Sequence, residues 1–136
     1  MEISWENGWE LDVDQVLTLY KSVGWTAYTH RPEALKAGLA RSLAVVTARR
    51  DGELIGLARA VGDETTILYI QDVLVRPEYQ RRGVGGALLN ELLSRYPQVR
   101  QKVLLTDRTP ETAAFYRKLG FVPAEDAGCM AFTKQN

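Results

Sequence analysis

The sequence predicts one α/β (α+β) domain over residues 1–136, with a mixed, mostly antiparallel sheet, helices on both faces and one β-α-β crossover. Three observations carry that expectation. Apolar and β-branched residues fill 43–48, 54–61 and 66–75 with short turns between them, which reads as an antiparallel meander. A strongly apolar helical segment from about Arg82 to Tyr96 then separates Val73–Val75 from Val103-Leu-Leu-Thr106, and two strands joined through a helix lie parallel with a right-handed connection. At 136 residues and 46% hydrophobic content, the chain can bury one good core and has too little material for two.

Element by element, Met1–Trp5 reads as a short first strand. Asp12, with Gln15 three residues on, marks a helix start, and Val13, Val16, Leu17, Tyr20 and Val23 share one face of that helix. Gly24 ends it in a left-handed cap. Trp25–Arg31 is an aromatic loop, and Pro32 opens a second helix to about Leu39. Asp51-Gly52 is a tight hairpin signal between the next two strands, and 62–65 turns into the long strand 66–75. Pro97 stops the following helix. Thr109-Pro-Glu-Thr112 supplies a hydroxyl cap, a proline in the first turn and an acid beside it, so a fourth helix runs to Leu119 and closes at Gly120. Residues 121–124 and about 129–133 read as a final hairpin-like pair.

Charge and composition narrow the function by exclusion. With 17 basic and 17 acidic residues the net charge is zero, which disfavours nucleic acid and membrane surfaces as partners. One cysteine, Cys129, excludes an intrachain disulfide and a cysteine-based metal cluster, and one histidine, His30, leaves little for zinc, so no metal is expected. The chain has no apolar run of about 18 residues and no charged-then-apolar leader, from which a cytoplasmic location is expected.

The chemistry concentrates in Val73-Leu-Val-Arg-Pro-Glu-Tyr-Gln-Arg-Arg-Gly-Val-Gly-Gly86. A strand runs through a turn at Pro77 into a glycine-punctuated loop and then the helix. The first N–H groups of a helix have no intrahelical acceptor and sit at the positive end of its dipole, so Gln80 to Gly85 can present donors to a phosphate. A Walker-type loop is excluded because no lysine follows Gly85 or Gly86, and a dinucleotide fingerprint because the Pro77 turn intervenes.

Gln80-Arg81-Arg82-Gly83-Val84-Gly85 in this setting resembles the acyl-CoA motif of the GNAT-type N-acetyltransferases, [QR]-x-x-G-x-[GA]. A second block, Ala114-Phe-Tyr-Arg-Lys-Leu-Gly-Phe121, stands at the family's distance from it, and the two blocks with their flanking strands cover roughly 53–124. The element order β-α-α-β-β-β-α-β-α-β-β also matches. The resemblance implies the GNAT acyl-CoA N-acyltransferase fold, with the strand before the loop splayed from its parallel neighbour. It implies that acetyl-CoA lies in the opening, held by the backbone of Val73, Leu74 and Val75 and by Gln80, Arg81, Arg82, Gly83, Val84, Gly85 and Gly86, with Thr109 and Phe115 contributing.

By the same resemblance Tyr116 stands where many members keep a tyrosine that protonates the departing thiolate. A phenol suits that task because it is neutral at pH 7 and donates a hydrogen bond. Asp72 is the first candidate for the base, with His30 as runner-up. An acid in an apolar strand is costly unless paired or used, so Asp72 is either the base or a partner for a basic residue such as Arg59. Gln71 alternates to the opposite face unless a bulge intervenes.

Trp25, Thr26 and Tyr28, with the region around Cys129-Met130, stand where the family builds its acceptor site. The function implied is acetyl transfer to a primary amine of a small molecule or peptide, directly in a ternary complex, and family habit adds a homodimer. Thr109 and Thr112 depart from the Asn and Ala common at those positions. A non-catalytic acyl-CoA-binding or regulatory module is the alternative, and it would be insensitive to Tyr116→Phe.

Overall fold

Five strands in the order β1-β2-β3-β4-β5 build the sheet of the computed structural model, which describes residues 1–136 in two units, Met1–Leu105 and Thr106–Asn136. In the first unit β1 (Glu2–Glu6), β2 (Ala44–Arg50), β3 (Glu53–Gly62) and β4 (Ile67–Val75) pair antiparallel in sequence order. The Asp51-Gly52 turn has positive φ at both residues, as a two-residue hairpin turn of the right twist demands. β5 (Gln101–Leu104) then pairs parallel with β4, so the crossover is present.

Asp12 starts α1 (Val13–Ser22) by accepting from the backbone N–H groups of Asp14 and Gln15, and Gly24 lies just beyond its end with φ 75°. Pro32 opens α3 (Pro32–Ala40). Between them Thr26–Thr29 forms one helical turn, α2, where the sequence suggested a loop. Successive bonds along this stretch, such as His30 N–H to the Thr26 carbonyl at 2.9 Å, hold it.

α1 and α3 bury Val16, Leu19, Tyr20, Leu35 and Leu39 against Val45, Leu57 and Leu74 on one sheet face. The apolar helix, α4 (Val84–Ser94), covers the other face. There a Cβ on Gly56 would come within 3.0 Å of Leu88 Cδ1 and 3.3 Å of Val84 Cγ1. The missing side chain lets the first turn of α4 settle on β3, and this fixes where that helix begins.

Three further expectations need correction. α4 starts at Val84 and ends at Ser94, inside the expected span of 82–96, because Gly83 sits in the left-handed region and Tyr96 already belongs to the turn after the helix. β5 lies two residues earlier than expected. The N–H groups of Arg100 and Gln101 bond the carbonyls of Thr65 and Thr66, so pairing begins as soon as the chain returns to the sheet and ends at Leu104.

The third correction falls in the second unit, where Thr109 caps α5 (Pro110–Lys118) and Gly120 follows it with φ 95°. No hairpin follows α5. Pro123 leads into a 3-10 turn, Ala124–Ala127, which Gly128 terminates at φ 78° and the Cys129 N–H closes onto the Ala124 carbonyl at 2.8 Å. Residues 129–136 have no strand partner, and Met130 and Phe132 are 69% and 87% exposed.

Candidate active site

β4 ends at Val75 because Arg76 turns back, its N–H bonding the Ile55 carbonyl at 2.8 Å and its Nε the Leu54 carbonyl at 3.1 Å. Pro77–Tyr79 makes a tight turn, and the Gln80 side-chain amide ties the loop to the Val75 carbonyl at 2.9 Å. Arg81 and Gly83 then take left-handed conformations, φ 64° and 83°, which swing the chain into α4. Gly83 carries no capping side chain. The backbone N–H groups of Arg81, Arg82, Gly83, Val84, Gly85 and Gly86 meet no acceptor of the chain. They form a run of donors at the positive end of a helix, flanked by two exposed guanidiniums. The Arg82 guanidinium stands 5.6 Å from the Tyr79 ring, which steers it back over the loop. A Cβ on Gly83 or Gly86 would meet nothing within 4 Å, so no part of the chain crowds either glycine.

Beside this loop the two parallel strands part. Ile67 to Ile70 pair with Gln101 to Leu104, and from Gln71 to Val75 no strand lies on that side of β4. The backbone of Val73, Leu74 and Val75 is therefore available along that edge. The Leu74 side chain is buried in the core and those of Val73 and Val75 are half-buried. An extended polar chain laid here finds main-chain donors and acceptors, while its phosphates reach the start of α4.

β4 also carries a bulge. Arg59 pairs with Asp72 and Ala60 with Ile70, so Gln71 is the extra residue. In such a bulge the extra side chain is re-aimed from strict alternation, and Gln71 and Asp72 converge on one hydroxyl. Asp72 is 3% exposed and accepts from Arg59 Nε at 2.6 Å, Tyr20 Oη at 2.9 Å and Tyr28 Oη at 2.7 Å. Gln71 Nε2 donates to the same Tyr28 oxygen at 2.9 Å. Arg59 further reaches Ser42 Oγ at 3.3 Å. Of the two roles open to Asp72 in the sequence, the pairing with Arg59 is realised.

Burial disfavours the Arg59 charge, but Asp72 beside it more than offsets that and holds its pKa above the usual guanidinium value. Burial, reinforced by the Asp72 charge, pushes Tyr20 well above the ordinary phenol value of 10.0. Burial also raises Tyr28, with the Gln71 hydrogen bond opposing. The folded chain therefore retains phenolic protons that the unfolded chain releases above pH 10.0. Stability is expected to be complete below that pH and to fall as the pH rises through it. Urea midpoints measured at about pH 8 and about pH 11 should differ in that direction, and equal midpoints would contradict it.

Trp25 and Tyr28 stack with Tyr20 as an aromatic cluster, with ring centroids 5.9 Å and 5.0 Å from Tyr20. Tyr28 is half-buried with its hydroxyl on Gln71 and Asp72, and Thr26 is exposed beside it at the start of α2. His30 is exposed and only terminates α2. Sequence reasoning named neither Tyr20 nor Ser42 as a polar partner and did not place Gln71 in this cluster. The visible signal was a charge in an apolar strand.

In the second unit, Thr109 Oγ1 accepts from the Thr112 N–H at 3.2 Å, so its hydroxyl serves the helix start. Tyr116 sits edge-to-face between Phe115 and Phe121, at 4.9 and 5.9 Å between centroids. Burial raises its pKa, the nearby Thr106 hydroxyl opposing, so it is a neutral phenol at pH 7.

Comparisons with known proteins agree with this architecture. A family model described as an acetyltransferase (GNAT) domain matches residues 41–123, more than half of the chain. Over 113 residues the chain is 30% identical to an uncharacterized N-acetyltransferase, ycf52, of Porphyra purpurea, covering 79% of this chain and 63% of that protein. It is 34% identical over 141 residues to the chloroplastic GCN5-related N-acetyltransferase 2 of Arabidopsis thaliana, covering 88% of this chain and 54% of that one. The chain thus spans between half and two thirds of the length of these relatives. A solved GNAT-family acetyltransferase from Streptococcus pneumoniae superposes with a TM-score of 0.89 at 32% identity, over 99% of this chain and 97% of that one. With the free helix start, the parted strands and the family match in agreement, the chain belongs to the GNAT family of acetyltransferases.

Proposed function

We propose that residues 1–136 act as one acetyl-CoA-dependent N-acetyltransferase domain that moves an acetyl group directly to a primary amine of a small molecule or peptide. The observation that carries this is the run of unaccepted N–H groups from Arg81 to Gly86, set beside the open edge of β4 at Gln71 to Val75. The loop suits the phosphates of acetyl-CoA, with Arg81 and Arg82 supplying positive charge and Gln80 holding the loop to β4. The backbone of Val73, Leu74 and Val75 suits the pantetheine arm, and an N–H there can hold the thioester oxygen as negative charge develops.

Transfer forms a bond from the amine nitrogen to the thioester carbon and breaks the carbon–sulfur bond. Tyr116 is assigned the proton that the thiolate takes up, on the chemistry of a phenol kept neutral by burial. The amine's proton leaves to solvent, from which Tyr116 regains the one it gave, since Asp72 is shut away and fully engaged by Arg59, Tyr20 and Tyr28. Trp25, Thr26 and Tyr28 are assigned to the acceptor. A homodimer is proposed with them from the family alone.

The test is thiol release from acetyl-CoA by the purified protein in the presence of small amines, amino-acid amides and short peptides. Amine-dependent release is expected. Tyr116→Phe should lower turnover by about 10- to 100-fold while changing CoA affinity less than about threefold. CoA binding with no release for any amine would instead identify a non-catalytic acyl-CoA-binding module, and unimpaired turnover in Tyr116→Phe would remove the role given to that tyrosine.

A further inference from the structure

The direction of every proton in the Asp72 cluster can be deduced. Both Tyr20 and Tyr28 approach the Asp72 carboxylate, which accepts and cannot donate when ionised beside Arg59, so each phenol gives its one proton to it. The Tyr28 oxygen then has only lone pairs left. Gln71 must therefore turn its NH2 toward Tyr28, at 2.9 Å, and its carbonyl oxygen must point away. That oxygen accepts nothing from the chain, and Gln71 is exposed. Gln71 is also the bulged residue of β4 and the first residue past the end of pairing with β5. A buried ion pair and a half-buried phenol thus hold an outward-facing amide oxygen in one orientation at the mouth of the parted strands.

We infer that the Gln71 carbonyl oxygen is the docking point for the acceptor, taking one N–H of a primary amine, and that Tyr28 and Asp72 are positioning residues that lock the amide. This rests on the acetyltransferase reading above. A primary amine suits the site because it can give one N–H to Gln71 and keep its lone pair for attack. The Tyr28 ring adjoins this amide through its hydroxyl, with the Trp25 ring 6.2 Å beyond it between centroids, and the pair favours an amine on an apolar or aromatic body. A glutamine amide neither gains nor loses a proton near neutral pH, so the site orients the amine and leaves its deprotonation to water. The bulge supplies what regular alternation would forbid, since an unbulged Gln71 would face away from Tyr28.

The experiment uses the whole chain with acetyl-CoA and four acceptors: benzylamine, putrescine, lysinamide and a tripeptide with a free N-terminus. Gln71→Leu is expected to raise the KM of the best acceptor about 10-fold with the KM of acetyl-CoA unchanged. Tyr28→Phe, which frees the amide to rotate, should raise it several-fold, and a merely structural role would lower the melting temperature and leave acceptor KM as in the wild type. A second readout does not need turnover. The Gln71 side-chain NH2 resonances, assigned by their loss in Gln71→Leu, should shift and saturate when benzylamine is added to the CoA-bound protein and should not respond to benzyltrimethylammonium, which has no N–H to give. Saturating shifts without turnover would overturn the transferase reading and keep the docking point. Turnover with an unchanged acceptor KM in Gln71→Leu, or with unperturbed Gln71 resonances, would overturn the docking point, and neither turnover nor shifts would overturn both.

Discussion

Asp72→Ala is expected to cost about 3–5 kcal/mol of folding stability. Three donors lose their acceptor at once. Arg59, 8% exposed, keeps its charge with no counterion, and the Tyr20 and Tyr28 hydroxyls lose the oxygen that paired them. A domain of this size has only about 5–15 kcal/mol in total, so the variant should melt near working temperatures or fail to accumulate. The charge pair itself is not the source of net stability. Replacing both ends by apolar residues, Asp72→Leu with Arg59→Met, should therefore recover the part of the loss that comes from the lone charge, while the Tyr20 and Tyr28 hydroxyls stay without their acceptor. Urea denaturation of the single and double variants measures this. A single-variant loss below about 1 kcal/mol would mean that water reaches Arg59 and that the cluster is looser than its distances indicate.

Gly83→Val is expected to abolish detectable CoA binding, with a loss of about 100-fold or more. Its φ of 83° is strained for a branched side chain, so the donors of Arg82 to Val84 would no longer converge, and two charge-assisted hydrogen bonds lost are worth about 3 kcal/mol. Since that variant also loses stability, Gly86→Ala separates the two effects. Gly86 lies inside α4, and a Cβ there meets nothing of the chain within 4 Å. Alanine should raise helix stability by about 0.5–1 kcal/mol and yet weaken CoA by about 10-fold, because it adds a methyl group at a donor-bearing residue of the helix's first turn. Calorimetric titration with CoA beside a thermal melt reads both. Binding of CoA by both variants at wild-type affinity would show that the start of α4 holds no anion.

Most of the frame was legible because it rests on local signals. The caps at Asp12 and Thr109, the left-handed glycines after α1 and α5, the Asp51-Gly52 turn and the order of strands each follow from a few neighbouring residues. The loop was legible for the same reason, as Gly83 and the bare start of α4 are properties of six consecutive positions. What failed was long-range. The expected final hairpin depended on pairing partners that no local pattern reports, and Pro123 and Gly128 produce a 3-10 turn instead.

The bulge was hidden for a different reason. Leu68, Ile70, Asp72 and Leu74 are all buried, which looks like one uninterrupted alternation. Pairing shows that Ile70 shares a face with Ala60, whereas Asp72 and Leu74 share the other with Arg59 and Leu57. A sheet covered on both sides buries either phase equally well, so hydropathy cannot register the inserted residue. The partnership of Asp72 with two tyrosines 52 and 44 residues away was likewise beyond any local rule.

The same insertion separates two kinds of constraint along β4. Every other residue from Gly56 to Gly62 and from Leu68 to Val75 has an assigned mate or lies within the continuous ladder, and Gln71 alone is required by none of them. Removing it on paper leaves Ile70 opposite Ala60 and Asp72 opposite Arg59, with every face unchanged. Relatives can therefore lose, gain or exchange this residue without re-registering the sheet. The docking role inferred for this residue could thus be altered without touching the scaffold.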